Sequence, residues 1–253
     1  MSDLFQSAKG SNSASKYSAK DIEVLEGLEP VRRRPGMYIG GTDERALHHL
    51  AAEVIDNAMD EAVAGHASRI ELELTSDNVV VISDNGRGIP VDPHPKFKDK
   101  SALEVILTTL HSGGKFSDKV YATSGGLHGV GLSVVNALSD LLEVEVARDK
   151  LLYKQTYSRG KPKSKISKGE PVHNRRGTTI RFHPDPEVFG ENNRFKAATL
   201  FRLARSKAYL YRGVEIRWTC EQRLVSGDKE NTPASAVLHF PGGLMDYLTE
   251  TIG

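Results

Sequence analysis

The stretch Gly125-Gly126-Leu127-His128-Gly129-Val130-Gly131 opens directly into the apolar run at 132–138. Glycines allow backbone N–H groups to turn toward one point, and the start of a helix adds a partial positive charge there. Such a combination binds anions, most often phosphate. The stretch is not a Walker loop, because no Gly-Lys-Ser/Thr closes it, and it lacks the dinucleotide spacing Gly-x-Gly-x-x-Gly after a strand. A flexible linker is the alternative, but linkers rarely carry Leu, His and Val between glycines. We therefore predict a phosphate-binding loop.

The composition is that of an ordinary soluble globular protein. The chain has 253 residues, 38% apolar and 26% charged, which suits one large domain or one domain plus part of another. A formal net charge of +1 gives no overall case for nucleic-acid binding. The single cysteine, Cys220, excludes an internal disulfide and predicts a cytoplasmic protein. No apolar run is long enough for a membrane span or a signal core, so we expect no membrane partner.

Hydrophobic periodicity predicts the order of the elements. Apolar residues at helical spacing indicate a helix over 46–64, with Gly65 as its stop. Alternation predicts strands at 70–74 and 79–82, joined by an Asp-Asn turn. Further helices are expected at 101–110, after Gly131 and at 193–210, and further strands at 142–147, 151–157, 178–182 and 214–219.

Most later strands follow one another without room for helices between them. This order predicts an α/β two-layer sandwich, in which a mixed, mostly antiparallel sheet carries helices on one face, rather than a doubly wound sheet. Residues 1–20 are rich in Ser, Ala and Lys and predict a flexible N-terminal arm. We expect the main domain over 21–230 and the start of a further, truncated domain over 231–253, where a turn and a short helical pattern occur.

The helix at 46–64 carries a polar set that suggests phosphate chemistry. Glu53, Asn57 and Asp60 are spaced to share one face, away from the apolar stripe. A solvated helix face is the plain alternative. However, Asp56 and Glu61 add to the acidic charge, and no Lys or Arg occurs between Leu47 and Ala64 to relieve the repulsion. A cation over this patch would explain it, since Mg²⁺ prefers amide and phosphate oxygens. Glu53 could then take a proton from a water that attacks a phosphate.

Two further positions are candidates for contacts with a ligand. Asp84 ends a predicted buried strand and begins a Gly-x-Gly loop, so its carboxylate could accept a hydrogen bond from a ligand amine. Gly86 and Gly88 would let a flat ring approach the backbone. Taken alone, Asp-Asn-Gly is a good turn, and Thr178 is more often a plain strand residue.

Taken in chain order, these motifs resemble the ATP site shared by type II topoisomerases, Hsp90 chaperones, MutL repair proteins and histidine kinases. The motifs are Glu53-x-x-x-Asn57-x-x-Asp60, Asp84-x-Gly86-x-Gly88, the 125–131 loop and Gly177-Thr178. The stretches at 33–40, 113–116 and 124–131 resemble the bacterial B-type subunits, and the resemblance runs from about Tyr17 to the end of the chain. Residues 27–34 and 243–248 look more like the B-type subunit of topoisomerase IV than that of gyrase.

The resemblance implies a role for each matching residue. Glu53 would be the general base, Asn57 the Mg²⁺ ligand and Asp84 the acceptor for the adenine amino group, with Gly86 and Thr178 close by through water. Lys115 and Tyr121 would lie in a lid, Tyr17 would reach the site of a second copy, and Pro90 and Arg148 would border the pocket for coumarin-type inhibitors. The residues implied in ATP binding are Tyr17, Asn57, Asp84, Gly86, Ile89, Lys115, Tyr121, Gly126, Leu127, His128, Gly129, Val130, Gly131, Leu132 and Thr178.

The resemblance also implies partners and leaves alternatives. Through the full-length enzyme these would be DNA, the A-type DNA-cleaving subunit, and a second copy joined by the N-terminal arm. Residues 231–253 would begin the transducer domain, without whose Gln and Lys we expect the fragment to turn over ATP slowly. The alternatives are the same module of gyrase, a chaperone or kinase of the same fold, and a nucleotide-binding module without catalysis, which would not need Glu53.

One segment outside these motifs stays open between two interpretations. From Arg148 to Arg176 there are ten Lys or Arg and only two acidic residues, Asp149 and Glu170. Lysines often protect a solvated edge strand, and they also line paths for DNA.

Overall fold

A computed structural model describes residues 22–112 and 131–252. The helices in this part are α1 (Glu29–Arg33), α2 (Gly36–Ile39), α3 (Glu44–Val63), α4 (Ala102–Thr108), α5 (Gly131–Ala137), α6 (Pro186–Phe189), α7 (Ala197–Leu210) and α8 (Leu244–Ile252). The strands are β1 (Arg69–Leu74), β2 (Val80–Asp84), β3 (Pro93–His94), β4 (Phe97–Ser101), β5 (Ser139–Arg148), β6 (Leu151–Ser158), β7 (Lys161–Pro162), β8 (Ser167–Pro171), β9 (Gly177–Pro184), β10 (Glu215–Cys220) and β11 (Ser235–Leu238).

One large sheet has the strand order β11-β10-β1-β2-β9-β5-β6-β7, and β8 also pairs with β6. The β1–β10 pair is parallel, whereas the other pairs of this sheet are antiparallel. Strands β3 and β4 form a separate hairpin. The prediction of a mixed, mostly antiparallel sheet is therefore confirmed.

Alternating burial shows which face of the sheet is covered. In β1, Ile70, Leu72 and Leu74 are at most 1% exposed, while Glu71 and Glu73 between them are exposed. The apolar side chains join a core with those of α3, α5 and α7, and the glutamates lie on the open face. This arrangement is the predicted two-layer sandwich, because each layer removes the apolar side of the other from water.

Helix α3 is the central helix of the site. Asp43 caps its N-terminus by accepting a hydrogen bond from the Ala46 N–H at 2.9 Å, and the chain leaves the helix at Gly65, whose φ is +77°. These two residues provide hydrogen bonds or turn geometry for the backbone N–H and C=O groups at the helix ends, which have no partner within the helix. The buried side of α3 packs Leu47, Leu50 and Val54 into the core. That packing fixes the rotation of the helix and so the direction of its polar residues.

The structure differs from the sequence-based expectation mainly in short elements. Helices α1, α2 and α6 and strands β3, β7 and β11 were not predicted, because each is too short for a periodic signal. Strands β4 and β8 are as long as β2 but were not predicted either, because their residues show no apolar alternation. Helix α7 begins at Ala197 rather than 193, since the Phe195 and Lys196 N–H groups donate to Asn78 Oδ1 and His48 Nε2. The sheet also continues past the boundary expected at 230/231, because β11 pairs with β10.

In the described part, no helix is long and apolar enough to cross a bilayer.

Candidate functional site

Asp84 stands where β2 ends, beside the first residues of β9. Its Oδ1 accepts a hydrogen bond from the Gly86 N–H at 2.8 Å. Burial raises the pKa of Asp84 to about 6, although the N–H groups of Gly86 and Thr178 favour the ionised form, and the nearby Glu61 carboxylate adds to the rise. A carboxylate held in this way is ionised at neutral pH and can accept a further hydrogen bond from a ligand.

Two glycines permit the close approach around Asp84. A Cβ at Gly86 would lie 2.7 Å from Glu61 Oε2 and 2.8 Å from Asp84 Oδ1. Gly177 has a φ of +106°, and a Cβ there would lie 2.0 Å from the Asp84 carbonyl oxygen. Side chains at either position would push these groups apart, so glycine is required for the backbone to pass here.

The loop after Asp84 is tied to β9 and to the end of β5. The Ile89 N–H donates to Thr178 Oγ1 at 3.1 Å, which leaves the buried Thr178 O–H as a donor. Arg148 Nη1 donates to the Gly88 carbonyl at 2.9 Å. Pro90 follows on the exposed side of the same loop. The structure thus brings Asp84, Gly86, Ile89, Pro90, Thr178 and Arg148 together.

Glu53 lies at the other end of the site, on the third turn of α3. Its carboxylate is 3.2 Å from His49 Nε2, one helical turn earlier. The hydrogen bond with Glu53 raises the pKa of His49 above its ordinary value, against the opposing effect of burial. A Cβ at Gly131 would lie 2.2 Å from Glu53 Oε2, so the carboxylate sits directly against the first residue of α5. Leu132 follows with its side chain in the core.

The acidic patch on α3 differs from the sequence-based interpretation. Asp60 is buried at 2% exposure, so it does not share an outward face with the half-buried Glu53 and Asn57. Cations from other elements also balance the other acids: Lys207 of α7 forms an ion pair with Asp56, and Arg87 with Glu61. The positive charge that the sequence predicted over this patch is therefore supplied in part by Lys207 and Arg87, which are distant in sequence but pack against α3.

Sequence reasoning missed the parts that Arg87, Glu61 and His49 play at this site. Arg87 holds Glu61 with two side-chain contacts, Nη2 to Oε1 at 2.7 Å and Nε to Oε2 at 3.2 Å, and its N–H donates to Oε2 at 2.9 Å. This contact anchors the 84–91 loop to α3. Helical spacing could have found His49 and Glu61, since each lies four residues from Glu53 or Asn57.

The candidate residues therefore lie in a strip along α3 and the 84–91 loop, which we call the groove, and the chemistry differs at its two ends. Glu61, which lies beside Asp84, is eight residues from Glu53, which corresponds to about 12 Å along a helix. One end offers a carboxylate for an amine, and the other offers a carboxylate at the start of α5. This separation suits an extended ligand with an amine-bearing ring at one end and phosphates at the other.

Other predicted residues lie outside the part that the structure describes. These are Tyr17, Lys115, Tyr121 and the loop residues Gly126, Leu127, His128, Gly129 and Val130. Among residues 22–112 and 131–252, no group of three or more His, Cys, Asp and Glu could hold a metal ion by itself. A metal at this groove would take most of its ligands from elsewhere, as Mg²⁺ does when it binds through phosphates and water.

A family model fits the same region. Residues 42–188 match the model described as histidine kinase-, DNA gyrase B-, and HSP90-like ATPase. The chain belongs to this family. The match runs from the start of α3 past β9, so it includes Glu53, Asn57, Asp84 and Thr178. Membership of this ATPase family implies that the matched domain binds ATP.

Similar proteins point to one branch of the family. The chain is 60% identical to the B-type subunit of DNA topoisomerase 4 from Caulobacter vibrioides, over 96% of this chain and 34% of that protein. It is 59% identical to the corresponding protein of Rickettsia felis, over 100% of this chain and 38% of the relative. The B-type subunit of DNA gyrase from Thermotoga maritima is 50% identical, over 92% of this chain and 35% of that protein. The chain thus spans about a third of the length of these relatives.

A solved structure shares the fold. The 43K ATPase domain of Thermus thermophilus gyrase B, in complex with an aminocoumarin, superposes with a TM-score of 0.75 and 39% identity. The match covers 88% of this chain and 54% of that one. The fold is therefore that of the gyrase B ATPase domain.

Proposed function

We propose that this chain is the ATP-binding and ATP-hydrolysing N-terminal module of a bacterial type II DNA topoisomerase, from a B-type subunit like that of topoisomerase IV. The observation that carries the proposal is the groove with Asp84 at one end and Glu53 against Gly131 at the other. The topoisomerase IV relatives at 57–60% identity, against 50% for the gyrase relative, favour the topoisomerase IV type. DNA, the A-type subunit and a second copy are the partners of this proposal.

Asp84 recognises the adenine. Its carboxylate accepts the adenine amino group, and a hydrogen bond to a charged acceptor contributes about 1.5–3 kcal/mol. Thr178 donates its O–H toward the same region, while Gly86 and Ile89 border the ring. Guanine carries a carbonyl oxygen where adenine carries the amino group, so it would meet the Asp84 carboxylate with an acceptor and be rejected.

Glu53 acts on water at the phosphate end. Its Oε2 lies at the first residue of α5, where phosphates would bind to backbone N–H groups. The carboxylate takes the proton of a water as that water attacks the γ-phosphate. His49 at 3.2 Å orients the carboxylate and, when protonated, favours its ionised form.

Mg²⁺ fits the residues at this end. Asn57 lies one turn from Glu53 on α3 and offers an amide oxygen, a hard ligand that Mg²⁺ accepts together with phosphate oxygens and water. When bound, the ion would neutralise charge on the phosphate oxygens.

The inhibitor pocket extends this proposal. Pro90 and Arg148 border the loop that carries Gly86 and Ile89, so an aminocoumarin would contact them while overlapping the adenine position. Competition between an aminocoumarin and an ATP analogue on this chain checks the overlap.

The test is calorimetric titration with a non-hydrolysable ATP analogue and Mg²⁺, together with single-turnover phosphate release. We expect Glu53→Gln to keep binding within about threefold and to lower hydrolysis by about 100-fold, because it removes the proton acceptor and keeps the shape. Glu44→Gln is the matched control, since it lies on the same helix and pairs with Lys196 at the surface. Equal hydrolysis by Glu53→Gln and the wild type would contradict the assignment.

A second substitution tests the geometry without removing the carboxylate. In Gly131→Ala, the new Cβ displaces Glu53 Oε2, which is the movable end of a flexible side chain, so the fold survives. We expect hydrolysis to fall while the thermal midpoint stays near that of Gly41→Ala, whose Cβ would meet nothing closer than 3.8 Å. Unchanged hydrolysis in Gly131→Ala would place the reacting water elsewhere.

A further inference from the structure

The strand edge at β6 carries a row of lysines. Both β7 and β8 pair with β6 at this edge of the large sheet. Lys161 lies in β7, Lys163 and Lys165 lie in the bend that follows, and Lys168 lies in β8. All four are exposed. We call these four residues the lysine edge.

Charges on the neighbouring open face of the sheet are largely paired. Glu143 lies 3.5 Å from Arg181, and Glu145 lies 2.5 Å from Lys154 and 2.6 Å from Arg175. These pairs cancel much of the local charge. Among the side chains that the structure describes, by contrast, no carboxylate forms an ion pair with any lysine of the lysine edge. Its four positive charges therefore face the solvent without a described carboxylate partner.

Basic groups continue from the lysine edge along β6. The turn between β5 and β6 lies beside the loop before β9, because the Val172 N–H donates to the Lys150 carbonyl at 2.9 Å. Lys150 and Arg176 line a cleft of about 910 Å³ on the open face there. The same cleft is lined by the carboxylates of Glu71, Asp84 and Asp149, of which Glu71 and Asp149 are paired with arginines. Its four Lys and Arg outnumber these three carboxylates, so positive charge continues from the edge into the cleft.

The length of this surface suits a nucleic-acid backbone. The eight residues of β6 correspond to roughly 26 Å of extended strand. Duplex DNA advances about 3.4 Å per base pair, so roughly eight base pairs match this length. Lysines on flexible stems follow phosphates of any sequence, because the contact is one of charge rather than of base edges.

Other partners fit the surface less well. Single-stranded nucleic acid is usually bound through exposed aromatic side chains, yet Tyr157 of β6 is buried and Tyr153 packs against the core. A protein partner would be expected to meet an apolar centre. In the described part, however, no large exposed apolar side chain lies between Leu141 and Leu210. A row of cations without stacking or apolar anchors favours duplex phosphates.

We propose that the lysine edge binds the phosphate backbone of double-stranded DNA, without sequence preference. The inference rests on the proposed topoisomerase function for its partner. It adds a contact surface for DNA on the ATPase fold itself, on a strand edge away from the nucleotide groove.

The experiment measures binding of a fluorescently labelled 24-base-pair duplex to this chain by anisotropy across a salt series. We expect the double variant Lys163→Glu/Lys165→Glu to weaken binding by tenfold or more and to lower the salt slope by about two, since each phosphate contact contributes about 0.9. Lys163→Arg/Lys165→Arg should retain wild-type binding. Arg194→Glu/Lys229→Glu, an equal charge change at exposed positions outside the lysine edge, should also leave binding close to wild type.

Each outcome separates the two proposals. The same variants should bind the ATP analogue as the wild type does. If the wild type fails to bind the ATP analogue, the proposed function is refuted, whether or not the chain binds DNA. If the wild type binds ATP but the lysine-edge variant and the control lose DNA equally, or neither loses it, the lysine edge only protects a strand edge. Tighter binding of polyglutamate than of duplex would assign the surface to an acidic protein and overturn the inference.

Discussion

Asp84 is a buried carboxylate whose ionisation lowers the stability of the folded protein. Burial holds its pKa near 6 in the folded protein, whereas an aspartate in an unfolded chain titrates near 3.9. As the pH rises from about 4 to 6, the unfolded chain releases this proton first. The folded state therefore loses about 2–3 kcal/mol over that window, and the loss persists at neutral pH. The same buried carboxylate is the one that we propose accepts the adenine amino group.

Replacing Asp84 with Asn should separate these two effects. We expect the ligand-free Asp84→Asn protein to be more stable than the wild type above pH 6 and equal to it near pH 4, because the amide does not ionise. Its affinity for ATP should fall by about 1.5–3 kcal/mol. Urea unfolding at several pH values and calorimetric titration measure both. A pH-independent difference in stability, or retained ATP affinity with GTP still rejected, would contradict this account.

At the scale of elements, a buried carboxylate links four parts of the fold. Asp185 precedes α6, and its side chain is 0% exposed. It pairs with Arg32 of α1 and with Arg159 after β6, both at 2.8 Å. Arg32 also donates to the Ala137 carbonyl at the end of α5. Burial would raise the pKa of Asp185, but the hydrogen bonds from Arg159 and Arg32 outweigh it, and the pKa lies below its ordinary value.

Asp185→Ala should destabilise the fold by about 3 kcal/mol, because it removes the buried anion of the partly buried Arg32 and leaves only the exposed Glu187 at 3.4 Å. Glu187→Ala is the matched control: this carboxylate touches the same arginines but is 62% exposed, so its loss should cost less than about 1 kcal/mol. Because the pKa of Asp185 is lowered in the folded state, its ionised form stabilises the fold. The difference in free energy of unfolding between the wild type and Asp185→Ala should therefore hold above pH 4 and shrink as the pH falls further. Urea unfolding midpoints measure these stability differences. Equal midpoints for Asp185→Ala and Glu187→Ala would contradict the role of Asp185 in joining these elements.

At the scale of the molecule, one core joins the sheet and the helices. Its buried residues run from Leu28, just before α1, to Leu238 of β11, with Trp218 of β10 at 0% exposure. Because α3, α5 and α7 share this core with the sheet, the described part should unfold as one unit. Trp218 is the single tryptophan and reports on the end of the sheet away from the lysine edge.

We therefore expect urea unfolding followed by Trp218 fluorescence and by far-UV circular dichroism to coincide. An ATP analogue with Mg²⁺ at about 100 times its dissociation constant should stabilise both transitions by about 2.7 kcal/mol. A fluorescence transition that precedes the other and does not respond to the ligand would mean that β10 and β11 unfold apart from the nucleotide groove.

The sequence by itself determined the long elements and named the candidates for the site. The period of α3 and the alternation in β1 follow from local geometry, so both could be predicted. Glu53, Asn57, Asp84 and Thr178 became site candidates through the resemblance of their motifs to the family. Membership of the ATPase family is confirmed. The roles of Glu53 and Asn57, Mg²⁺ binding and the DNA contact stay predictions, as do the residues outside the described part.

Only the tertiary structure decided which distant side chains meet. The pairing of Asp56 with Lys207 and of Glu61 with Arg87 depends on how α7 and the 84–91 loop pack against α3. The burial of Asp60 depends on the rotation of the same helix, and the place of β11 depends on its pairing with β10. Sequence periodicity carries information over one element, whereas ion pairs and burial are set by contacts between elements far apart in the chain. For this reason the acidic patch was misread, and the lysine edge could be told from the paired open face only once the strands were in place.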